Sequence, residues 1–155
     1  MKKIILSILC LIFLISCESD VKFNNPAFQG EKQGQMWNAS NYEATISSNG
    51  NITIIGYKEF ETVTLRTFTA SPHTSAFGVN GTNFAEYENN AVGFFGNYST
   101  GFNGGNGQIQ ITNFSEGTVS GNFKFNAVNT NVSLTDPDKI NFKRGVFYKI
   151  PVSKL

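Results

Sequence analysis

Between Thr118 and Val128 the chain alternates without a break. Val119, Gly121, Phe123, Phe125 and Ala127 fall on one side, Ser120, Asn122, Lys124 and Asn126 on the other. A period of two held this long gives a strand one apolar face and one wet face. The same period runs through Gly107 to Asn113, where Ile109 and Ile111 alternate with Gln108, Gln110 and Thr112. Ser115-Glu116-Gly117 joins these two strands into an antiparallel hairpin. A second hairpin is predicted from Tyr42 to Ser47 and from Asn51 to Tyr57, around Ser48-Asn49-Gly50. That turn supplies the residues that tolerate positive φ in a tight reversal. Tyr42, Ala44 and Ile46 share one face of its first strand, and Ile52, Ile54 and Gly56 one face of its second.

The shorter elements follow the same texture. Thr62 to Phe68 turns Val63 and Leu65 inward against Thr64 and Arg66, and Ala70 to Ser75 reads as a loop around Pro72 and His73. Ala76 to Val79 and Phe84 to Glu88 read as short strands around Asn80-Gly81. Val92 to Ser99 reads as another, with two glycines that mark a bulge or a close backbone approach. Phe102 to Gly107 is a loop by composition, Asp136-Pro137-Asp138 a turn, and Ile140 to Val152 the closing strand, with a bulge at Gly145. Beyond residue 16 no apolar period of 3.6 is sustained. Roughly eight to ten short strands predict an all-β domain, a single antiparallel β-sandwich in meander-like order. A closed or flattened up-and-down β-barrel is the alternative.

The N-terminus breaks this pattern. Lys2 and Lys3 precede Ile4 to Ile15, apolar except for Ser7. Twelve helical residues rise about 18 Å, short of the roughly 30 Å of hydrocarbon in a bilayer. The basic start, the short apolar run and a small residue before a junction describe a secretory signal peptide. The junction Leu14-Ile15-Ser16-Cys17 resembles the lipobox of bacterial lipoproteins, whereas Cys10, with Ser7 at −3 and Leu9 at −1, does not fit. The resemblance implies cleavage before Cys17, a diacylglyceryl group on its thiol and an acylated new terminus. Two or more chains anchor stably where one does not. The acidic Glu18-Ser19-Asp20 resembles export signals that carry some Bacteroidota lipoproteins to the cell surface. The expected organisation is a signal peptide over 1–16, a flexible tether over 17–35 and the all-β domain over 36–155, moored to the outer membrane on its surface or periplasmic face.

Removing residues 1–16 from a chain of 155 leaves 139, a size that favours one domain. Lys2 and Lys3 leave with the leader, so twelve basic residues become ten against eleven acidic ones. A near-neutral chain without a basic run argues against nucleic acid as a partner. With Cys17 lipidated, no disulfide can form, and the fold must stand on its apolar core.

Candidate chemistry is thin. His73, the single histidine, sits in a Ser/Thr/Pro stretch with no acid beside it and reads as a solvated loop residue. Asp136-x-Asp138 lacks the glycine and distal glutamate of a calcium loop, so neither metal nor cofactor is expected beyond the lipid. Glu59/Glu61 and Glu86/Glu88 each stand two apart, on one side of a strand, where they read as solvated edge charges. Paired acids of this kind also serve glycosidases. Gly101 to Gly107 carries no Lys-Ser/Thr and no following helix, so it is not a phosphate loop. The six Asn-x-Ser/Thr sequons, at Asn38, Asn51, Asn80, Asn97, Asn113 and Asn131, read as accidents of an Asn-rich chain. Aromatic groups are the remaining wealth: Trp37, five tyrosines and fifteen phenylalanines, of which Phe13 lies in the leader. Most must fill the core, and core packing is the favoured reading even for the cluster Tyr87, Phe94, Phe95, Tyr98 between Phe84 and Phe102, though it is dense enough to leave some rings exposed. Rings beside asparagines can grip sugars by stacking and paired hydrogen bonds.

Gly107-x-Ile109-x-Ile111-Thr112 followed by Val119-Ser120-Gly121-x-Phe123-x-Phe125-x-Ala127 resembles the C-terminal pattern of an uncharacterised family of Bacteroidota lipoprotein domains, a domain of unknown function. Trp37, the hairpin after it and Gly145-x-Phe147 are similar to the family's layout over residues 35–150, while Lys58 to Tyr98 is longer and more aromatic. The resemblance brings no catalytic residues. The expected function is a lipid-anchored, non-enzymatic binding or structural module with a glycan or envelope protein as partner and no assigned ligand-binding residues. The alternatives are a carrier holding an apolar ligand inside a barrel and a weak envelope glycoside hydrolase.

Overall fold

The computed structural model describes residues 27–78, 81–93, 96–101, 104–131 and 136–155. Among the described residues there are eleven strands and no helix. They are β1 (Phe28–Lys32), β2 (Gln35–Asn38), β3 (Asn41–Ile46), β4 (Ile52–Lys58), β5 (Glu61–Thr67), β6 (His73–Phe77), β7 (Phe84–Asn89), β8 (Gly96–Ser99), β9 (Asn106–Ser115), β10 (Thr118–Asn129) and β11 (Lys139–Lys154). All belong to one mixed sheet in the order β2-β1-β11-β3-β4-β5-β7-β8-β10-β9-β6, and β10 also pairs with β11. That extra pairing bends the sheet back on itself into a partial ring, so the all-β class holds in a form between sandwich and barrel.

β11 organises the ring because it is long enough to serve three neighbours. Its sixteen residues pair with β10 from Lys139 to Pro151, with β1 around Phe142 to Phe147, and with β3 over Val152 to Lys154. The last pairing is parallel, where a wholly antiparallel sheet was expected. At the opposite seam β8 meets β10 through only two pairs, Ser99–Val128 and Tyr98–Asn129.

The predicted inward positions are inward. Val63, Leu65, Ile52, Ile54, Ile109, Ile111, Phe123 and Phe125 are all buried. The β3–β4 hairpin turns at Gly50, whose φ of 85° is the left-handed conformation glycine adopts freely. At the centre the Trp37 ring stands edge-on to Phe28 (5.9 Å) and Phe142 (5.8 Å), and Phe142 stacks on Phe125 at 4.8 Å. Tyr87 closes on Phe142 at 5.7 Å. Each such ring contributes about 1.5–3 kcal/mol by leaving water, with roughly 0.5–1.5 kcal/mol more from a well-oriented ring pair.

Two expectations are corrected here. The tether predicted over 17–35 does not extend that far: residues 28–32 are β1, and Phe28 is buried against Trp37. Phe28 ↔ Phe147 and Lys32 ↔ Phe142 show why, since β1 covers an edge of β11 that would otherwise expose its backbone. The second correction concerns the meander-like order, which fails at β6 and β7: the two are consecutive in the chain but not neighbours in the sheet. β6 pairs with β9, and β7 lies between β5 and β8. His73 accordingly begins β6 instead of sitting in a loop.

Candidate ligand-binding face

The outward positions of β9, β10 and β11 form ordered rows. Asn126 donates to Asn106 at 2.9 Å and accepts from Asn141, so three amides line up across three strands. One step along, Lys124 lies opposite Gln108, and one step further Asn122 lies between Gln110 and Val146. Each row follows from the period-two alternation of its strand, which sends amides and lysines out wherever Ile or Phe goes in.

Charge separates with the same logic. β9, β10 and β11 carry Lys124, Lys139, Lys143, Arg144, Lys149 and Lys154, and no Asp or Glu. Strand acids sit on β3, β5 and β7, as Glu43, Glu61, Glu86 and Glu88, and on β1, where Glu31 lies beside β11; Glu116 is in the β9–β10 turn. A nearly neutral chain therefore folds into a molecule with a basic side, and such a field acts on charged partners.

Local backbone irregularities shape this side. The β10–β11 register shifts between Phe123 and Phe125, and Arg144 takes up the extra residue with φ at 49°. A bulge of this kind re-aims a side chain. Arg144 is thereby turned out, 86% exposed, with Nη1 3.5 Å from Glu31 Oε2. Beside it the Phe123 ring lies directly under Gly145, where a Cβ would come within 2.5 Å of three ring carbons. At Gly107 a Cβ would lie 2.4 Å from the carbonyl oxygen of Lys124. Neither position has room for a side chain, because each lies against a buried phenylalanine, Phe123 or Phe125.

Three hollows adjoin there. The largest, about 390 Å³, is bounded by Gln108, Gln110, Asn122, Lys124, Arg144 and the floor at Phe123 and Gly145. The next, about 280 Å³, shares Lys124 with it and adds Asn106, Asn126, Asn141 and Lys143. The third, about 240 Å³, shares the asparagine row and ends at Gln33 and Lys139. Together they make a trough from Asn122 to Val128 along β10, roughly 20 Å at about 3.3 Å per residue. Among its lining residues there is no carboxylate.

The residues singled out from sequence fall elsewhere. Glu61 is not a solvated edge charge: its carboxylate accepts from Lys32 Nζ and Trp37 Nε1, while Lys32 also donates to the Tyr87 hydroxyl at 3.0 Å. Burial works to raise the Glu61 carboxyl, but the Lys32 hydrogen bond and charge, helped by Tyr87 and Trp37, outweigh it and hold the group below its usual value. Burial first, then the Glu61 charge and hydrogen bond, pushes the Tyr87 phenol up. Glu59, its predicted companion, lies outside this network on the β4–β5 turn with φ at 51°. Glu86 and Glu88 sit on β7, an interior strand and not an edge. Burial and then the Glu88 charge raise Glu86.

Tyr87 and Tyr98, from the cluster dense enough to leave some rings exposed, are buried 5.8 Å apart, which agrees with core packing as the favoured reading of these rings; Phe94, Phe95 and Phe102 lie outside the described residues. Exposed rings are found instead at Phe60, Phe68, Phe114 and Tyr148. His73 is held between Thr67 Oγ1 (2.8 Å) and the Ser71 carbonyl (2.6 Å), under the Phe68 ring. Asp136 and Asp138 stand near Tyr98, which burial and then their charges raise. Cys17 lies outside the described residues. Among those residues no group of three or more His, Cys, Asp or Glu is placed to hold a metal. The trough residues escaped the sequence reading because they come from three strands, and only the outward alternation of amides and lysines hinted at them.

The family described as "Domain of unknown function (DUF6252)" matches residues 24–151. The chain belongs to this family. The matched span takes in β1 through β10 and most of β11, so the family's domain includes the β1–β2 hairpin that the sequence reading had placed partly in a tether. No curated protein and no solved structure matches the chain.

Proposed function

We propose that this member of the DUF6252 family is a non-enzymatic binding module of the bacterial cell envelope, moored to the outer membrane by lipid on Cys17, and that it holds a glycan on the outer face of β9–β11. The observation that carries the reading is the trough itself: three adjoining hollows of about 390, 280 and 240 Å³ whose polar lining consists of amides and cations over a partly apolar base. An amide carries two N–H donors and a two-lone-pair acceptor, so each member of the row keeps capacity beyond its bonds to its neighbours for the donor–acceptor pairing of vicinal sugar hydroxyls. The interior favours this outer location, since the Phe123, Phe125, Phe142, Trp37 and Tyr87 rings are packed on one another. The lipobox residues and the Bacteroidota-like acidic stretch after Cys17 supply the mooring and the compartment.

The test is a panel of purified envelope polysaccharides, neutral and acidic, titrated by calorimetry against the mature protein in nonionic detergent. At least one is expected to bind, and Asn126→Ala, which removes the middle of the amide row, is expected to weaken it by about tenfold, the loss of one or two hydrogen bonds. A panel without a binder refutes the reading. Mass spectrometry of residue 17 tests the mooring separately, with a bare thiol as the refuting result.

A further inference from the structure

Resting on that reading of the face, we infer that the ligand is an acidic polysaccharide whose carboxylates are taken by Arg144 and Lys124 in the largest hollow. The charge inventory points this way, because the trough carries Lys124, Lys139, Lys143 and Arg144 and no acid among its lining residues. These cations are spread along the trough, from Arg144 past Lys124 and Lys143 to Lys139. Spaced charges suit a chain that repeats its acid group, whereas one small anion would need them gathered at one point.

Arg144 itself is the stronger sign. A long non-glycine side chain in the left-handed region costs about 1–2 kcal/mol; Gln33, Glu59, Glu116 and Lys149 carry the same cost, and what sets Arg144 apart is where its bulge aims it. The bulge turns its guanidinium outward beside Lys124. The planar fork of a guanidinium matches a carboxylate with two parallel hydrogen bonds. The protein's own Glu31 carboxylate already stands 3.5 Å from Nη1, in a loose and mostly solvated pair. It shows which group Arg144 accepts and acts as a weak internal competitor. Gln108, Gln110 and Asn122 around the same hollow are placed for the hydroxyls of the same sugar.

The experiment titrates the mature protein in nonionic detergent with a polyuronate, with its fully methyl-esterified form and with duplex DNA of matched charge. The polyuronate is expected to bind at least about tenfold more tightly than its neutral ester, the effect of one charge-assisted contact. That margin is expected to shrink as salt rises from 50 to about 500 mM. Arg144→Gly keeps the bulge, since glycine is at ease at that φ, and is expected to lose about tenfold in polyuronate affinity with unchanged circular dichroism. Glu31→Gln removes the competitor and is expected to gain about threefold.

Equal binding of the acid and its ester overturns this inference and leaves the glycan reading standing. Binding of neither polymer, together with a blank panel, overturns both. Tighter binding to DNA overturns the polysaccharide assignment, and an unaffected Arg144→Gly variant overturns the assignment of the residue.

Discussion

Lys32 and Glu61 are far apart in sequence and pair where the β1–β2 hairpin crosses the end of β5, with side chains only 21% and 19% exposed. Glu61 also accepts from Trp37, and Lys32 donates to the Tyr87 hydroxyl and lies 4.9 Å from its ring centre. Replacing Glu61 by Gln keeps an acceptor for Trp37 but strands the ammonium. Fully buried pairs lose about 3–5 kcal/mol when one partner goes. One-fifth exposure lets the ammonium recruit water, so about 2–3 kcal/mol is expected. Lys32→Met should cost a similar amount by stranding the carboxylate. The double variant Lys32→Met/Glu61→Gln strands no charge and should cost clearly less than the sum, leaving a coupling of about 1.5–2 kcal/mol.

Urea unfolding of all four proteins, followed by circular dichroism, measures the cycle. Each single variant should lower the midpoint by about 1 M at a typical slope for this size. Additivity to within about 0.5 kcal/mol refutes the argument.

The same pair predicts a pH dependence whose sign can be worked out. The folded Glu61 carboxyl lies below its unfolded value of about 4.3. Its stabilisation is therefore complete above that value and disappears as pH falls through the folded pKa. The gap between wild type and Glu61→Gln should stay constant from about pH 8 to 5 and narrow below about 4. A gap that instead widened on acidification would mean the carboxyl is held high.

Other expectations follow from packing. Gly145→Ala forces a Cβ to within 2.5 Å of the buried Phe123 ring and should cost at least about 1–3 kcal/mol in denaturant unfolding. Phe142→Ala empties the centre of the ring stack and should cost about 3–5 kcal/mol, whereas Phe60→Ala, at an exposed turn, should stay within about 0.5 kcal/mol. Thr100→Val removes the buried acceptor of the Ala85 N–H at 2.9 Å, and a loss of about 1–3 kcal/mol by the same assay is expected.

Where alternation was long and a turn obvious, sequence reading and structure coincide. Val119 through Ala127, Ile109 with Ile111, and the Gly50 hairpin are examples, because each is decided within one strand or one turn. Reading failed where pairing skips along the chain. β6 has ordinary strand residues and a good turn after it, yet it crosses to β9, and β7 takes its place beside β5. The choice rests on which edges were free, a property of the whole sheet. Residues 28–32 misled through scattered charge and glycine, since the burial of Phe28 depends on Trp37, Phe123 and the edge of β11. The candidate face was half legible. Its amides and lysines were seen to point out, but the cations on β9–β11 are dispersed along the chain and formed no recognisable run.

By itself the sequence determined the strand content and the wet and dry sides of the longest strands, because period-two alternation and turn chemistry are local. The partial ring, the closed Lys32–Glu61 network and the separation of basic from acidic strands were decided only in three dimensions. Hydrogen-bond pairing between strands joins residues far apart in sequence, and the charge of a face is the sum over whichever strands that pairing makes neighbours.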